Sequence, residues 1–100
     1  MLPEKIRNFV LELTKRTENG QLSWVYDDET ESVFLQEPQF NVTLRYSFNE
    51  LEECGEFVLL YFDHTRGKDY RFYTNQRFTD YDSVRRLFDS AQSSGLNLPF

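Results

Sequence analysis

The chain has 100 residues, 39% hydrophobic and 28% charged, which is typical of a globular domain and disfavours disorder. Its 11 basic residues face 17 acidic ones, for a net charge of −6. This balance disfavours nucleic acid as a main partner, because duplex binding depends on Lys and Arg at the phosphates. The length predicts one domain over residues 1–100.

The cysteine count and the hydropathy pattern bear on the compartment. Cys54 is the only cysteine, so an internal disulfide is impossible. Residues 1–5 lack the apolar run of a signal peptide. No apolar stretch approaches the roughly 18 residues that a membrane-spanning helix needs. We therefore expect a cytoplasmic protein without a membrane contact.

Apolar residues at helical spacing open the chain. They recur on one side of a helix of 3.6 residues per turn and are Leu2, Ile6, Phe9, Val10 and Leu13. Pro3 suits a first turn, and Asn19-Gly20 is a typical helix end. An N-terminal helix is predicted.

Two alternating segments follow. Leu22, Trp24 and Tyr26 predict a short strand that ends at the acidic residues 27–31. Between residues 32 and 48 one parity becomes apolar and the other polar, as in a strand with one buried and one solvated face. The apolar parity contains Phe40, Val42, Leu44, Tyr46 and Phe48. Pro38 marks either a tight turn between two strands or a bulge in one long edge strand.

Residues 56–63 form the most apolar run of the chain. A polar segment containing Gly67 follows, and residues 69–74 return with Tyr and Phe, which predicts a β-hairpin. Because residues 56–63 are apolar at both parities, both faces of this strand need cover. We therefore place it in the interior of the sheet.

A second helical stripe closes the chain. It consists of Tyr81, Val84, Leu87, Phe88 and Ala91. Residues 79–82 resemble a capping box, and Gly95 ends the helix. Residues 96–100 are apolar, so we expect them to pack back or to meet a partner.

This order of elements predicts an α+β fold. It has an N-terminal helix, a four- to five-stranded antiparallel sheet and a C-terminal helix, with both helices on one sheet face. The polar parity of the strand around Thr43 must then face solvent. One sheet face is therefore expected to be at least partly wet.

The interior strand must place one apolar row on that wet face. The polarity of Tyr61 and Asp63 favours Phe57, Leu59 and Tyr61 as the outward row, which leaves Val58, Leu60 and Phe62 inward. The side chains that border this row are Arg45, Arg71 and Tyr73. An exposed aromatic row rimmed by Arg is typical of a protein contact surface. Alternatively, another part of the chain covers the row.

A second candidate surface is acidic. Residues 27–31 and 50–56 hold eight of the 17 acids. The candidate residues are Asp27, Asp28, Glu29, Glu31, Glu50, Glu52 and Glu53. In a five-stranded meander both segments lie at one end of the sheet, and the field there would attract a basic partner.

Two interaction hypotheses follow from these surfaces. The first is a non-enzymatic protein-interaction module, with a homodimer as one form of it, that uses the outward sheet face or the edge strand at residues 69–74. The second is an acidic inhibitor or immunity-type protein that occupies the basic site of a toxin or nuclease. No small-molecule partner is inferred.

Catalytic and metal chemistry find little support. Cys54 and His64 would lie at opposite ends of one strand, roughly 25 Å apart at ~3.3 Å per residue, whereas a catalytic dyad needs hydrogen-bond contact. The acidic residues 27–31 lack the glycine and the final glutamate of a calcium loop, since Ser32 stands at the glycine position. One Cys and one His cannot supply a closed zinc site. We expect no catalytic residue, no cofactor and no metal.

Residues 13–24, with Thr17, Gly20, Leu22 and Trp24, resemble the opening of many small uncharacterised bacterial proteins. In these a helix ends in a Thr-x-x-Gly turn, and the next strand carries a Trp. Residues 84–91 are similar to their closing helix, Leu-x-x-Leu-Tyr-x-x-Ala. The resemblance implies a helix–sheet–helix fold and a bacterial origin, and it attaches no activity.

Overall fold

The structure, a computed structural model, describes residues 1–96, 98 and 99. Two helices enclose five strands in chain order. The elements are α1 (Glu4–Glu18), β1 (Val25–Asp27), β2 (Ser32–Gln36), β3 (Phe40–Asn49), β4 (Cys54–Asp63), β5 (Lys68–Asn75) and α2 (Tyr81–Ser93). This is the predicted α+β architecture, with five strands in the sheet.

The sheet is an antiparallel meander in the order β1-β2-β3-β4-β5. Residues 32–48 therefore form two strands rather than one, and Pro38 lies in the turn between them. The Glu37 amide donates to the Phe40 carbonyl across this turn (2.9 Å). Because β4 pairs with both β3 and β5, it lies in the interior of the sheet, as predicted.

Helix α1 follows the predicted apolar stripe, with Val10 and Leu13 buried. The hydroxyls of Thr14 and Thr17 donate to carbonyls one turn earlier (2.8 and 2.7 Å), so these polar groups are satisfied inside the core. The helix ends at Glu18, and Gly20 follows with a φ of 78°, a conformation that glycine adopts without strain.

Both helices pack on the same sheet face. Phe9 of α1 contacts Phe40 and Tyr61 edge-on, at ring centroid distances of 5.6 and 5.5 Å. Phe88 of α2 packs on Phe57 at 5.4 Å. The largest fully buried side chains of this core are aliphatic: Val10, Val33, Val42, Leu44, Leu59, Val84 and Leu87. Aromatic rings thus surround an aliphatic centre between the two layers.

A polar contact ties the two helices together. The guanidinium of Arg86 in α2 donates to both carboxylate oxygens of Glu18 in α1 (2.9 and 2.7 Å). Nearby, the indole N–H of Trp24 donates to the Thr17 hydroxyl (2.9 Å), which fixes the connection that leaves α1. The helical layer is therefore held at this end by directed bonds as well as by packing.

The start of α2 differs from the predicted capping box. Its N-cap residue is Asp80, and no described side chain caps the helix there. The buried Asp80 carboxylate instead accepts hydrogen bonds from the Leu2 amide (2.7 Å) and the Thr74 hydroxyl. The capping prediction is wrong because it takes Thr79 as the N-cap, whereas the helix begins one residue later, at Tyr81 after Asp80. Asp80 thereby joins the N-terminal segment, β5 and α2.

The apolar segment 96–100 lies partly outside the described residues, since Asn97 and Phe100 are not among them. Of the described residues of this segment, Leu96 and Leu98 are exposed. A partner contact for the segment stays a prediction.

Candidate functional site

The strand register decides which side chains share each face of the sheet. Leu44 of β3 lies opposite Leu59 of β4, and Tyr46 lies opposite Phe57. The apolar parity of β3 is buried under the helices, so the residues paired with it are buried too. We call this side of the sheet the covered face.

The predicted outward row is therefore wrong. Phe57 and Leu59 lie on the covered face with only 2% and 1% of their surface exposed. Tyr61 lies on the same face, half-buried against the rings of Phe9 and Phe40. The error came from the polarity of Asp63, whose carboxylate accepts from the Thr65 and Arg66 amides (2.9 and 3.3 Å). An aspartate at position 63 is thus explained by its hydrogen bonds in the turn, and it does not show that this side of the strand faces solvent.

The opposite side of the sheet, which we call the open face, carries the other parity. None of its apolar side chains belongs to the helix-packed core among the residues that the structure describes. These side chains form one patch: Val25, Phe34, Val58, Leu60, Phe62 and Tyr73. We call it the apolar patch. Val25 is 68% exposed, Tyr73 41% and Phe34 36%, whereas the β4 residues are half-buried by their strand neighbours.

Polar and charged side chains lie among the members of the apolar patch. Thr43 separates Phe34 from Leu60 in one row across the sheet, and Arg71 follows Leu60 in the same row. In the next row Arg45 lies between Ser32 and Val58. The structure thus places the predicted residues Arg45, Arg71 and Tyr73 on the open face.

The charges of the two arginines are not neutralised by the described residues. Over residues 1–96, 98 and 99, neither Arg45 nor Arg71 takes part in a salt bridge. Tyr73, in contrast, has a partner on its own chain, because its hydroxyl donates a hydrogen bond to the Glu56 carboxylate (2.9 Å). The open face therefore presents two exposed cations beside an apolar patch, with a hydrogen-bonded carboxylate at one end.

The acidic residues meet at one end of the sheet. Because β1 to β4 are antiparallel neighbours, the β1–β2 turn and the β3–β4 turn lie side by side. Glu31 and Glu53, the last residues before β2 and β4, have φ values of 48° and 52°. Both glutamates thus occupy the left-handed region that favours glycine. Leu51 at the tip of the second turn is 97% exposed.

Part of this acidic end is neutralised within the chain. Arg77 forms a salt bridge of 2.6 Å with Glu52. The Glu29 amide donates to the Asp27 carboxylate (3.0 Å), which closes the first turn on itself. The described residues contain no group of three or more His, Cys, Asp and Glu side chains placed to hold a metal ion.

The nucleophile and base candidates are far apart. Cys54 is buried at the first residue of β4, and His64 is exposed just beyond the last. The His64 ring bonds to the Pro38 carbonyl through Nδ1 (3.0 Å) and packs near Phe62 at 5.4 Å. These contacts explain His64 as a turn residue. Since a strand separates them, the two side chains cannot act as a catalytic dyad.

The buried tyrosines are poor acid–base groups at neutral pH. Burial raises the pKa of Tyr61 and Tyr81, and nearby acidic groups raise it further. Both phenols therefore stay protonated. The Tyr81 hydroxyl also has a packing role, since it closes over Gly55 together with the Tyr46 hydroxyl.

A cleft of about 540 Å³ runs between α1 and the β2–β3 turn. Its walls are mainly apolar, formed by Phe9, Leu13, Leu22 and Phe40. Of the charged residues at its rim, Arg16 already binds Glu12 (2.9 Å). Glu37 and Gln39 complete the polar part of its lining.

The sequence-based reasoning missed the centre of the open face, Val58, Leu60 and Phe62. The turn at residues 50–53 could have identified these three residues as facing outward. If β3 and β4 form a tight hairpin closed by Asn49 and Cys54, even-numbered residues of β3 pair with odd-numbered residues of β4. That parity puts Leu59 beside Leu44 and turns Leu60 outward.

No protein-family model, curated protein or solved structure matches this chain. The resemblance to small bacterial helix–sheet–helix proteins therefore stays a prediction. Separately, no helix in the described part of the chain is long and apolar enough to cross a membrane.

Proposed function

We propose that this chain is a non-enzymatic protein-interaction module and that the open face is its contact surface. One observation carries the proposal. The helices cover one face of the sheet, whereas the apolar patch on the other face has no cover from the described residues. An exposed apolar patch on a sheet face is often functional, because it costs solubility.

The residue types of the open face support this function. Phe34, Phe62 and Tyr73 are aromatic, and Arg45 and Arg71 lie beside them. Aromatic residues and arginine are enriched in the cores of protein interfaces, and Tyr and Arg dominate binding hot spots. At ~4.8 Å between strands, the face is roughly 20 Å wide, which suits a small transient interface.

The charges indicate the chemistry of the partner. Arg45 and Arg71 make no ion pair on their own chain within the described residues, and burying an unpaired guanidinium is costly. A partner that supplies carboxylates removes this cost through charge-assisted hydrogen bonds. The partner that fits is a protein whose apolar patch is bordered by Asp or Glu.

The test is site-specific photo-cross-linking in the cells that naturally express the protein. The photoreactive amino acid p-benzoylphenylalanine replaces Leu60 at the centre of the open face or, as the matched control, the exposed Leu51 of the acidic end. We expect a discrete adduct from position 60 and none from position 51. Arg45→Glu abolishes the adduct, whereas Arg45→Lys retains most of it.

Other outcomes contradict this proposal. An adduct of twice the mass of the chain means that a second copy occupies the open face. An adduct that Arg45→Glu leaves unchanged contradicts the carboxylate-bordered partner. Equal labelling from positions 60 and 51, or none from either, removes the open face as a contact surface.

The acidic end supports a second candidate function, an inhibitor or immunity-type protein for a basic toxin or nuclease. The supporting observation is that the two acidic turns lie side by side. A quadruple variant, Glu29, Glu31, Glu50 and Glu53→Gln, separates the two candidates in low-salt pull-downs. A basic partner that this variant loses and Leu60→Glu keeps favours the inhibitor. A partner with the opposite dependence favours the open face.

We also propose that the module works in the cytoplasm of a bacterium. The single buried Cys54 needs no oxidising compartment, which supports the location. The resemblance of residues 13–24 supports the bacterial origin. Fractionation of the native host tests the location, and recovery in a periplasmic or secreted fraction contradicts it.

A further inference from the structure

The free edge of β5 carries backbone groups that point away from the sheet. The Met1 amino group donates to the Tyr73 carbonyl (3.1 Å), so this carbonyl faces away from β4. In an antiparallel strand the N–H and C=O of one residue point to the same side, and successive residues alternate. Asp69 and Arg71 therefore also direct their N–H and C=O outward, whereas Tyr70 and Phe72 bond to β4.

This edge is bounded at both ends. The Gly67 amide is used within the hairpin turn, where it donates to the Asp63 carbonyl (2.8 Å). At the other end, the Tyr73 carbonyl already accepts a hydrogen bond from the Met1 amino group. The outward groups available to another strand are thus mainly those of Asp69 and Arg71.

Asp69 and Arg71 carry opposite charges on the same side of the strand. Both project from the open face at the edge. In the part of the chain that the structure describes, neither forms a salt bridge. A strand that presents an acid and a base two residues apart is complementary to itself when it is turned around.

The charges select one register for such a pairing. With Tyr70 opposite Tyr70 of a second copy, each Asp69 faces an Arg71. One step to either side places Arg71 opposite Arg71, or Asp69 opposite Asp69, and directly opposed like charges are destabilising. The next step would set Arg71 opposite Tyr73, whose carbonyl is already occupied.

We propose that two copies of this chain pair through β5, antiparallel, with Tyr70 on the two-fold axis and reciprocal Asp69–Arg71 pairs on either side. The result is one continuous sheet with five strands from each copy. Two hydrogen-bonded residue pairs supply about four backbone hydrogen bonds. Such a short ladder makes a concentration-dependent dimer.

The symmetry has a consequence for the open face. A two-fold axis at this edge runs perpendicular to the sheet, so both copies turn their helices to the same side. The two apolar patches then lie side by side on one platform. The pairing engages Arg71 and leaves Arg45 for the proposed partner. It does not require that the open face be occupied, so the two proposals are tested separately.

The first test is charge reversal read by sedimentation over a concentration range at low salt. Arg71→Asp sets two carboxylates against each other at each pair, and Asp69→Arg sets two guanidinium groups, so each single variant is expected to be a monomer. The double variant Asp69→Arg with Arg71→Asp restores both pairs and the dimer. Arg66→Asp, with the same charge change in the exposed turn outside the ladder, leaves the dimer intact.

The second test reads the register directly. Residues opposite each other in a non-hydrogen-bonded pair have Cα atoms about 4.5 Å apart, within disulfide reach. Tyr70→Cys in a Cys54→Ser background therefore forms a covalent dimer under mild oxidation. Thr65→Cys in the same background, at an exposed turn, is the control and forms much less.

These experiments can overturn the pairing. A wild-type chain that stays monomeric at every concentration, a dimer that survives either single reversal, or a double variant that stays monomeric contradicts it. Arg45→Glu separates this result from the proposed function. It removes the photo-cross-linked adduct from position 60 if that proposal holds, but leaves the Tyr70→Cys dimer in place.

Discussion

The two faces of the sheet are built from the same strands, yet only one of them meets the helices. Leu59 and Leu60 show the contrast within a single step of β4. Leu59 is 1% exposed in the core, whereas Leu60 lies half-buried on the open face. Two leucines at successive positions of one strand therefore contribute differently to the stability of the fold, because different groups pack against them.

The covered face stabilises the fold, whereas the open face leaves apolar surface exposed. The covered face combines rings and aliphatic side chains into one core. The open face carries a comparable mixture of aromatic and aliphatic groups, but it intersperses them with Thr43, Arg45 and Arg71. Such interruptions keep an exposed face soluble while preserving apolar contacts for a partner.

Truncating neighbouring leucines of β4 should affect the two faces of the sheet very differently. Leu59→Ala should lower the free energy of unfolding by about 3 kcal/mol, because it leaves a cavity in the core. Leu60→Ala, its matched control, should cost about 1 kcal/mol or less, since partial burial contributes less. Urea unfolding followed by circular dichroism measures both. Equal losses would mean that something covers both faces in solution.

The packing of the covered face is tight at Gly55. A Cβ on this residue would lie 2.7 Å from the Tyr81 hydroxyl and 2.8 Å from that of Tyr46. Gly55→Ala should therefore cost about 1–3 kcal/mol through overpacking. The same substitution in a background of Tyr46→Phe and Tyr81→Phe, which removes both hydroxyls, should cost less. An unchanged cost in that background would contradict the close packing.

The smallest effect concerns the helix pair above the covered face. Hydrogen bonds from Arg86 and then Ser90 lower the pKa of Glu18 below its ordinary value of 4.5. A carboxylate whose pKa is depressed by folding stabilises the native state above its unfolded pKa and loses this contribution as the pH falls through the folded value. Stability should thus decline below about pH 4.5, more in wild type than in Glu18→Gln.

Thermal unfolding at pH 7 and pH 3 in low salt measures this difference. Glu4→Gln, which changes the net charge equally on the same helix, is the control and should keep the wild-type decline. Since the Glu18–Arg86 pair is solvent-exposed, added salt should shrink the effect. A Glu18→Gln variant whose stability declines as steeply as that of wild type would show that the Glu18–Arg86 contact does not stabilise the fold.

Much of the architecture was predictable because it depends on local patterns. The helical stripes around Val10 and Leu87 and the alternation of β3 each follow from one segment alone. The separation of Cys54 from His64 also followed, since it needs only that β4 be extended. Pro38 remained open at that stage because a turn and a bulge both tolerate proline.

The candidate site was harder to predict because it depends on register. A strand that is apolar at both parities contains no internal signal of which row meets the helices. Phe57 and Leu60 could exchange faces on composition alone, and only the pairing with β3 decides between them. The Asp80 contacts were out of reach for a similar reason, since they join Leu2 and Thr74 across the fold.

The left-handed glutamates at positions 31 and 53 bear on how this chain could be re-engineered. A non-glycine residue pays roughly 1 kcal/mol for that conformation, and glycine would relieve it. Substituting glycine at both positions to raise the thermal stability would therefore also remove two negative charges from neighbouring loops. At these two positions, a gain in stability and the retention of the local negative charge therefore exclude each other.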